Sequence, residues 1–245
     1  MIRIVCPMAG EGKQFLDRGY IFPKPLIEIA GKSLIEVVLE KIIIDEPHQF
    51  IFICREEHLQ KFALKEVVEL LVPGSIIIES RTTTAGSLCS LLLAIEYLDT
   101  DDELLIMNGD QYIDASIMDF IQSARSGNWD GYIMTFPSRH PKWSYVQVEG
   151  EEIVAVAEKR PISNKATVGL YYFRQGCDFL LAAEQMLYKN ATVKGEFYIC
   201  PVYNELILMG KRISYFPIEP QQMYSLGTPD DVQRFLNTKA QEMNW

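Results

Sequence analysis

The stretch Ile2–Phe15, IRIVCPMAGEGKQF, opens as an apolar strand and breaks into a loop with two glycines and one lysine. In open α/β sheets, ligands sit where strands end, at the carboxyl edge. Glycines let successive backbone N–H groups converge on an anion, and a lysine adds charge. Working outward, apolar runs alternate with amphipathic segments. Helices are expected over Leu34–Ile44, Glu56–Leu71 and Ser87–Leu98, and strands at Phe50–Cys54, Ser75–Ser80 and Glu103–Asp110. This alternation implies βαβ units around a mainly parallel sheet buried on both faces. From Gly131 the pattern becomes more antiparallel. GYIMTF, SYVQVEG, EIVAVAEK and TVGLYYF are four strand-like runs, with Gly150 as a hairpin turn. Helices return at Cys177–Tyr188, Val202–Met209 and Pro229–Leu236, the last capped by Thr228 with Pro229 at its first position. The expected organisation is one α/β domain over residues 1–245, divided into halves at about residue 130.

The 245 residues are 48% hydrophobic and 23% charged, an ordinary soluble composition. A formal charge of −10 argues against a nucleic-acid partner, which needs a broad basic surface. An anionic substrate must then be held by a few local lysines and arginines. Cys6, Cys54, Cys89, Cys177 and Cys200 form no C-x-x-C pair, which points to a reducing compartment rather than a disulfide framework. His48, His58 and His140 lack metal-ligand spacing. The short apolar start is interrupted by Glu11 and Lys13, unlike a signal peptide, and no apolar run approaches the ~20 residues of a membrane span. The expectation is a cytoplasmic protein with no membrane partner and room for a homo-oligomer.

Spacing decides between phosphate loops. A dinucleotide fingerprint, G-x-G-x-x-G, is met by Gly10 and Gly12 but has Phe15 in the third place, too bulky for close helix–strand packing. A P-loop is met by Gly12-Lys13, but Pro7 takes the place of its first glycine and Gln14 that of its hydroxyl.

A third pattern continues through Pro23-Lys24-Pro25-Leu26, Gly31-Lys32-Ser33-Leu34-Ile35, TAGSLCSLLLA from Thr84, NGDQ at Asn108–Gln111, Glu158-Lys159, VGLYYF from Val168, GEFY from Gly195 and LGTPDD from Leu226. Taken in order, these resemble the sugar-phosphate nucleotidylyltransferases over nearly the whole chain. The resemblance implies a Rossmann-like, glycosyltransferase-A-type fold. It also implies attack of a phosphate oxygen on the α-phosphorus of an NTP, with Mg²⁺ as cofactor and pyrophosphate as leaving group. Residues 1–130 would be the nucleotide-binding half and 131–245 the acceptor-binding half.

The resemblance also assigns residues. Lys24 and Asp110 would be catalytic, Lys24 bridging the reacting phosphates and Asp110 binding the metal. Met8, Ala9, Gly10, Glu11, Gly12 and Lys13 would hold the nucleotide with Thr84, Gly86, Ser87, Asn108 and Gly109, a side chain at Gly86 intruding on the base. Gln111, Glu158, Lys159, Gly169 and Glu196 would face the acceptor, Lys159 meeting its phosphate. Within the family, the sequence also resembles the cytidylyltransferases acting on phosphoglutamine in capsule synthesis. CTP is then the expected donor and phosphoglutamine or a sugar 1-phosphate the expected acceptor.

In isolation each residue has a plainer reading. Gly10 and Gly12 fit a tight turn, Lys24 a solvated loop, Asp110 a cap for a helix starting near Asp114, and Glu158-Lys159 an exposed strand end. Tyr171, Tyr172 and Phe173 read as core, and Arg139, His140 and Lys142 as a solvated loop. Two positions depart from the family. Gln14 stands where arginine is usual, and Ser225 where many members carry a second metal-binding aspartate, leaving Glu196 or Glu219 as other acids that could approach. A glycosyltransferase of the same fold would carry D-x-D, whereas Asp110 is followed by Gln111 and Tyr112. A UTP- or dTTP-using sugar-1-phosphate nucleotidylyltransferase and a nucleotide-binding regulatory protein without catalysis are the remaining alternatives.

Overall fold

The computed structural model describes residues 1–242. Its strands are β1 (Ile2–Met8), β2 (Glu28–Ile29), β3 (Lys32–Ser33), β4 (His48–Arg55), β5 (Ile76–Ser80), β6 (Glu103–Met107), β7 (Gln111–Ile113), β8 (Gly131–Pro137), β9 (Tyr145–Glu149), β10 (Glu152–Ala157), β11 (Lys165–Phe173), β12 (Ile213–Pro217) and β13 (Met223–Ser225). β5, β4, β1 and β6 lie side by side and parallel, as the apolar runs imply. β11 then runs antiparallel to β6. Its other edge carries β8, to which β12 adds in parallel, and near its start β11 meets β9 of the β9–β10 hairpin. One mixed sheet thus runs through both halves of the chain. β7 and β13 form a separate antiparallel ribbon, as do β2 and β3.

Successive strand side chains point to opposite faces, and the core follows that period of two. Ile2, Ile4, Cys6 and Met8 of β1 join Phe50, Phe52 and Cys54 of β4 and Leu105 and Met107 of β6 on one face. Val5, Ile51, Ile53, Leu104 and Ile106 enter the other. The first face is covered by helices Leu34–Leu39, Ile117–Ser126 and Pro229–Asn237, the second by Ser87–Leu91, Gly176–Tyr188 and Val202–Leu208. Tyr171, Tyr172 and Phe173 are core residues, as expected.

Several helices are shorter than the periodicity implies. The first starts in a capping box, Ser33 Oγ accepting from Glu36 N while the Glu36 carboxylate accepts from Ser33 N. It stops at Leu39 rather than Ile44, because the run Ile42-Ile43-Ile44 is β-branched and Pro47 follows closely. Glu56–Leu71 is two helices, broken where Ala63 turns left-handed at φ 54°. Ser87–Leu98 has a 3-10 turn at its centre. Thr228 Oγ1 caps the helix at Pro229 through Asp231 N, as expected. No helix of the described residues is long and apolar enough to cross a membrane.

One charged cluster ties the parallel region together. Arg125 Nη1 and Nη2 each donate to Glu46 at 2.8 Å, while Nε and Nη2 reach Glu103 at 2.7 and 2.5 Å. Tyr172 Oη donates to the same Glu103 at 2.6 Å. Burial opposes ionisation of Glu103, but the bonds from Arg125 and Tyr172 outweigh it and hold its pKa below the ordinary value. Arg125 lowers that of Glu46 likewise. Both carboxylates therefore contribute stability above the unfolded glutamate pKa of about 4.3 and lose it as pH falls through their lowered folded values. Arg125→Ala is expected to lower unfolding free energy by about 1–3 kcal/mol near neutral pH. Urea titrations of both proteins at several pH values test this: the gap should narrow as the carboxylates protonate, and a pH-independent gap would exclude the ion pairs as its source.

Candidate active site

β1 and β6 end side by side, so the segments that follow them face each other. Gly12 adopts a left-handed φ of 67°, and a Cβ there would lie 3.4 Å from Lys24 Cβ, so the loop passes closely over Lys24. Among the described residues, the backbone N–H groups of residues 10–14 donate to no protein acceptor. Lys24 opens a 3-10 turn, Lys24–Leu26, entered from Pro23 and stiffened by Pro25. Its Nζ lies 2.5 Å from Asp110 Oδ2, with both side chains about three-quarters buried. Asp110 is carried past β6 by Asn108-Gly109. A Cβ on Gly109 would fall 3.1 Å from Cys6 Sγ and Met8 Cγ, so glycine lets this turn pack on β1. Asp110 caps no helix, since the next one starts at Ile117 under Ser116.

The surrounding cleft has a volume of about 760 Å³. One wall holds Met8, Ala9, Gly10, Glu11, Gly12 and Lys13, with Thr84, Gly86 and Ser87 beyond them and Asn108 and Gly109 on the floor. Glu11 accepts from Thr83 Oγ1 at 2.8 Å and pairs with Lys13 at 3.1 Å and Arg55 at 3.6 Å. The Thr83 hydrogen bond, then Lys13, lowers the Glu11 pKa. The fold gives its own need for glycine at Gly86. A Cβ there would lie 2.3 Å from the carbonyl oxygen of Phe197, whose N–H donates to Ala85 O. The glycine thus joins this wall to the segment carrying Glu196.

The opposite wall holds Gln111, Glu158, Gly169 and Glu196. Gly169, at φ 81°, lies where the pairing of β11 with β8 shifts register between Thr167 and Tyr171. The carbonyl of Gly169 is drawn onto the end of β6, accepting from Asn108 N at 3.0 Å. Ser144 Oγ donates to Glu158; burial raises the pKa of that carboxyl, with Ser144 and the Lys159 charge opposing. Lys159 does not line the cleft itself. Its ammonium donates to Tyr198 Oη and sits 4.2 Å from the ring centre, and Tyr198 Oη donates to Glu196 at 2.5 Å. Lys159 is left-handed at φ 52°, a strained choice for a lysine.

The sequence reading missed Tyr198 and a second cluster. Lys142, expected in a solvated loop, lines the cleft. It reaches Asp231 at 3.2 Å and lies 4.5 Å from the Trp143 ring centre. Asp231 is buried and also accepts from Ser225 Oγ at 3.0 Å. The partners Lys142 and Asp231 are 89 positions apart, and no local pattern joins them. The only local signal was Thr228 three residues before Asp231, a helix start. Glu219 caps the turn Pro220–Gln222 instead of lining the cleft, and Glu196 is engaged with Tyr198, so the acid behind Ser225 is Asp231.

Known proteins place this arrangement. The nucleotidyl transferase family model matches residues 8–203. In structure the chain resembles a nucleoside-diphosphate-sugar pyrophosphorylase of Vibrio cholerae RC9, with a TM-score of 0.84 and 29% identity, over 96% of this chain and 100% of that one. A UDP-glucose pyrophosphorylase of Acinetobacter baumannii shares the fold, with a TM-score of 0.75 and 17% identity, over 99% and 94% of the two chains. In sequence the chain is 25% identical over 217 residues to the bifunctional protein GlmU of Thermodesulfovibrio yellowstonii, covering 84% of this chain and 46% of that protein. It is 26% identical over 176 residues to GlmU of Methanocaldococcus jannaschii, covering 39% of it. The chain therefore spans less than half the length of these curated relatives. With the match running from the end of β1 through both walls of the cleft, the chain belongs to the nucleotidyl transferase family.

Proposed function

We propose that this protein is a magnesium-dependent nucleotidylyltransferase that joins an NTP to a small phosphorylated metabolite in the cytoplasm. An oxygen of the acceptor phosphate forms a bond to the α-phosphorus, the bond from α-phosphorus to the bridging oxygen breaks, and pyrophosphate leaves with the electron pair. The observation that carries this reading is the Lys24–Asp110 pair, placed between the glycine loop and the wall of Gln111, Glu158 and Glu196. Such a reaction asks the protein to position two anions and offset their repulsion, not to supply a nucleophile.

The chain's groups divide that work. The N–H groups of residues 10–14, with Lys13, hold the outer phosphates, and Thr84, Gly86 and Ser87 flank the base. Lys24 carries its positive charge between the reacting phosphates. The donor set fits Mg²⁺. Asp110 Oδ2 and Ser225 Oγ flank Gly227, where a Cβ would lie 3.2 and 3.5 Å from them. These hard oxygens would hold the ion, which neutralises polyphosphate charge when bound. Gln111, Glu158, Gly169 and Glu196 face the acceptor, and Lys159, leaving Tyr198, meets its phosphate. The sequence likeness favours CTP as donor and phosphoglutamine or a sugar 1-phosphate as acceptor, in capsule or surface-polysaccharide synthesis.

The defining test is pyrophosphate release across CTP, UTP, dTTP, ATP and GTP with phosphoglutamine and sugar 1-phosphates. Release is expected only when Mg²⁺, an NTP and a phosphorylated acceptor are all present, with CTP fastest. Hydrolysis of NTP at the same rate without acceptor, or a trapped nucleotidylated enzyme, would refute the mechanism. A faster reaction with UTP or dTTP would refute the cytidylyl assignment alone. Asp110→Asn and Lys24→Ala are expected to fold and to lose about 100- to 1,000-fold in kcat. Normal turnover by either folded variant at saturating Mg²⁺ would remove that residue from the chemistry.

A further inference from the structure

Three carboxylates are buried among the described residues, Asp178, Glu205 and Asp231, and each faces a lysine. Two of these pairs sit outside the cleft on the helices Gly176–Tyr188 and Val202–Leu208, and they are tight. Lys211 Nζ donates to Asp178 at 2.6 Å and Lys189 Nζ to Glu205 at 2.5 Å. The third pair lines the cleft and is loose. Lys142 Nζ reaches the two Asp231 oxygens at 3.2 and 3.4 Å, beyond the roughly 2.7–2.9 Å of a charge-assisted hydrogen bond. Its other neighbour is the Trp143 ring, whose centre lies 4.5 Å away and which is braced edge-on by Phe136. Asp231 does not depend on this lysine alone. Ser225 Oγ donates to it at 3.0 Å, and Arg234 Nη1 lies 3.5 Å away. The ammonium can therefore leave without stranding a buried carboxylate, the costly outcome when an ion pair breaks.

Its position gives that mobility a use. The loop carrying Lys142 is joined to the acceptor wall, with Lys159 N donating to Trp143 O at 3.1 Å and Ser144 Oγ donating to Glu158. On its other side, Asp231 connects through Ser225 to Gly227, where a Cβ would lie 3.5 Å from Ser225 Oγ and 3.2 Å from Asp110 Oδ2. Lys142 thus stands where the acceptor wall meets Asp110. Lys159 does not line the cleft, and its ammonium is engaged with Tyr198.

We propose that Lys142 is a further catalytic residue, its ammonium leaving Asp231 to meet the acceptor phosphate, with Asp231 as the positioning residue that parks it in the empty cleft. The inference rests on the nucleotidylyltransferase reading and adds to it a cation drawn from the loop between β8 and β9. The acceptor phosphate is the group that must approach a second polyanion, and a lysine beside it offsets that repulsion on the side opposite the nucleotide loop. Asp231 and the phosphate compete for one ammonium, so the strength of the parking contact sets acceptor affinity.

The test compares wild type with Lys142→Met and Asp231→Asn, two substitutions that break the same ion pair from opposite ends. Pyrophosphate release is measured with glucose 1-phosphate and phosphoglutamine varied at saturating NTP and Mg²⁺, and then with the NTP varied. Lys142→Met should raise the KM of the acceptor that wild type uses by about tenfold or more, with the NTP KM within about twofold of wild type. Asp231→Asn keeps an oxygen to accept from Ser225 but removes the charge that competes for Lys142. Its acceptor KM should equal or fall below that of wild type, whatever happens to kcat through Ser225. A pair that is only structural predicts the reverse: both variants would lose melting temperature and raise the acceptor KM alike, which would overturn the proposal. An unchanged acceptor KM in a folded Lys142→Met protein would overturn it too. Should Asp231→Asn fail to fold, the Lys142→Met split decides, because a structural lysine would shift the NTP KM and the acceptor KM together. A wild-type protein that releases pyrophosphate with neither acceptor and no NTP would instead fail the functional reading, and this inference with it.

Discussion

The contact between Lys24 and Asp110 depends on everything that brings two distant loops together. The parallel register that sets Ile2 against Glu103 and Val5 against Ile106 brings β1 and β6 to the same edge. Gly12 then lets the first loop pass over Lys24, and Gly109 lets the second turn against Cys6 and Met8. Two prolines fix the Lys24 backbone. The pairing is part of a wider arrangement in which Lys13 lies on Glu11, Lys142 on Asp231, and Lys159 on Tyr198 beside Glu196. An acidic chain of formal charge −10 thus gathers lysines around one cleft by giving each a local partner. Pairing also limits the desolvation penalty of each partly buried charge. On the proposed reading, phosphates compete with these partners for the ammonium groups. A polyphosphate delivered with a divalent cation would meet less repulsion from Asp110 than one delivered alone, a physical reason for the proposed metal requirement.

The fold was legible where burial on both strand faces left continuous apolar runs, as in FIFIC and ELLIM, and where a cap and a proline marked a helix start, as at Thr228-Pro229. It was less legible where tertiary packing overruled local pattern. Ala63 breaks a helix without glycine or proline to announce it. ISYFP adds the strand β12 beside β8, although its pairing partner lies some eighty residues earlier. Those register relationships are long-range, and local periodicity does not encode them.

The site divides the same way. Lys24, Asp110 and the glycine loop could be recognised because their order and spacing form a signature, and the fold brings them together. Lys142 carried no such signature. Its placement depends on the loop before β9 reaching the first turn of the helix Pro229–Asn237. Tyr198 sat inside the GEFY motif without a role of its own, and only the fold shows it holding Lys159 and Glu196 at once. Gly86 stood out because a side chain there would intrude on a base, and the fold adds a second reason, the backbone of Phe197.

The β7–β13 ribbon connects these observations. Antiparallel pairing sets Gln111 opposite Ser225, while Leu226 N donates to Asp110 O at 2.7 Å. One short ribbon therefore positions the hydroxyl beside Asp110 and the amide on the acceptor wall. Ser225 brings no charge of its own, but its hydroxyl donates to buried Asp231, which is neutralised by Lys142. Relative to the family's usual strand aspartate, the carboxylate is set back onto the following helix and shielded by a lysine. On the proposed reading, less negative charge then faces the phosphates, which suits a site where Gln14 supplies no guanidinium to offset it. A one-residue slip of β13 against β7 would turn Ser225 away from the face that carries Gln111. The two departures from the pattern that the resemblance implies are thus physically compatible on the proposed reading: a cation absent from one loop would be matched by an anion set back on another.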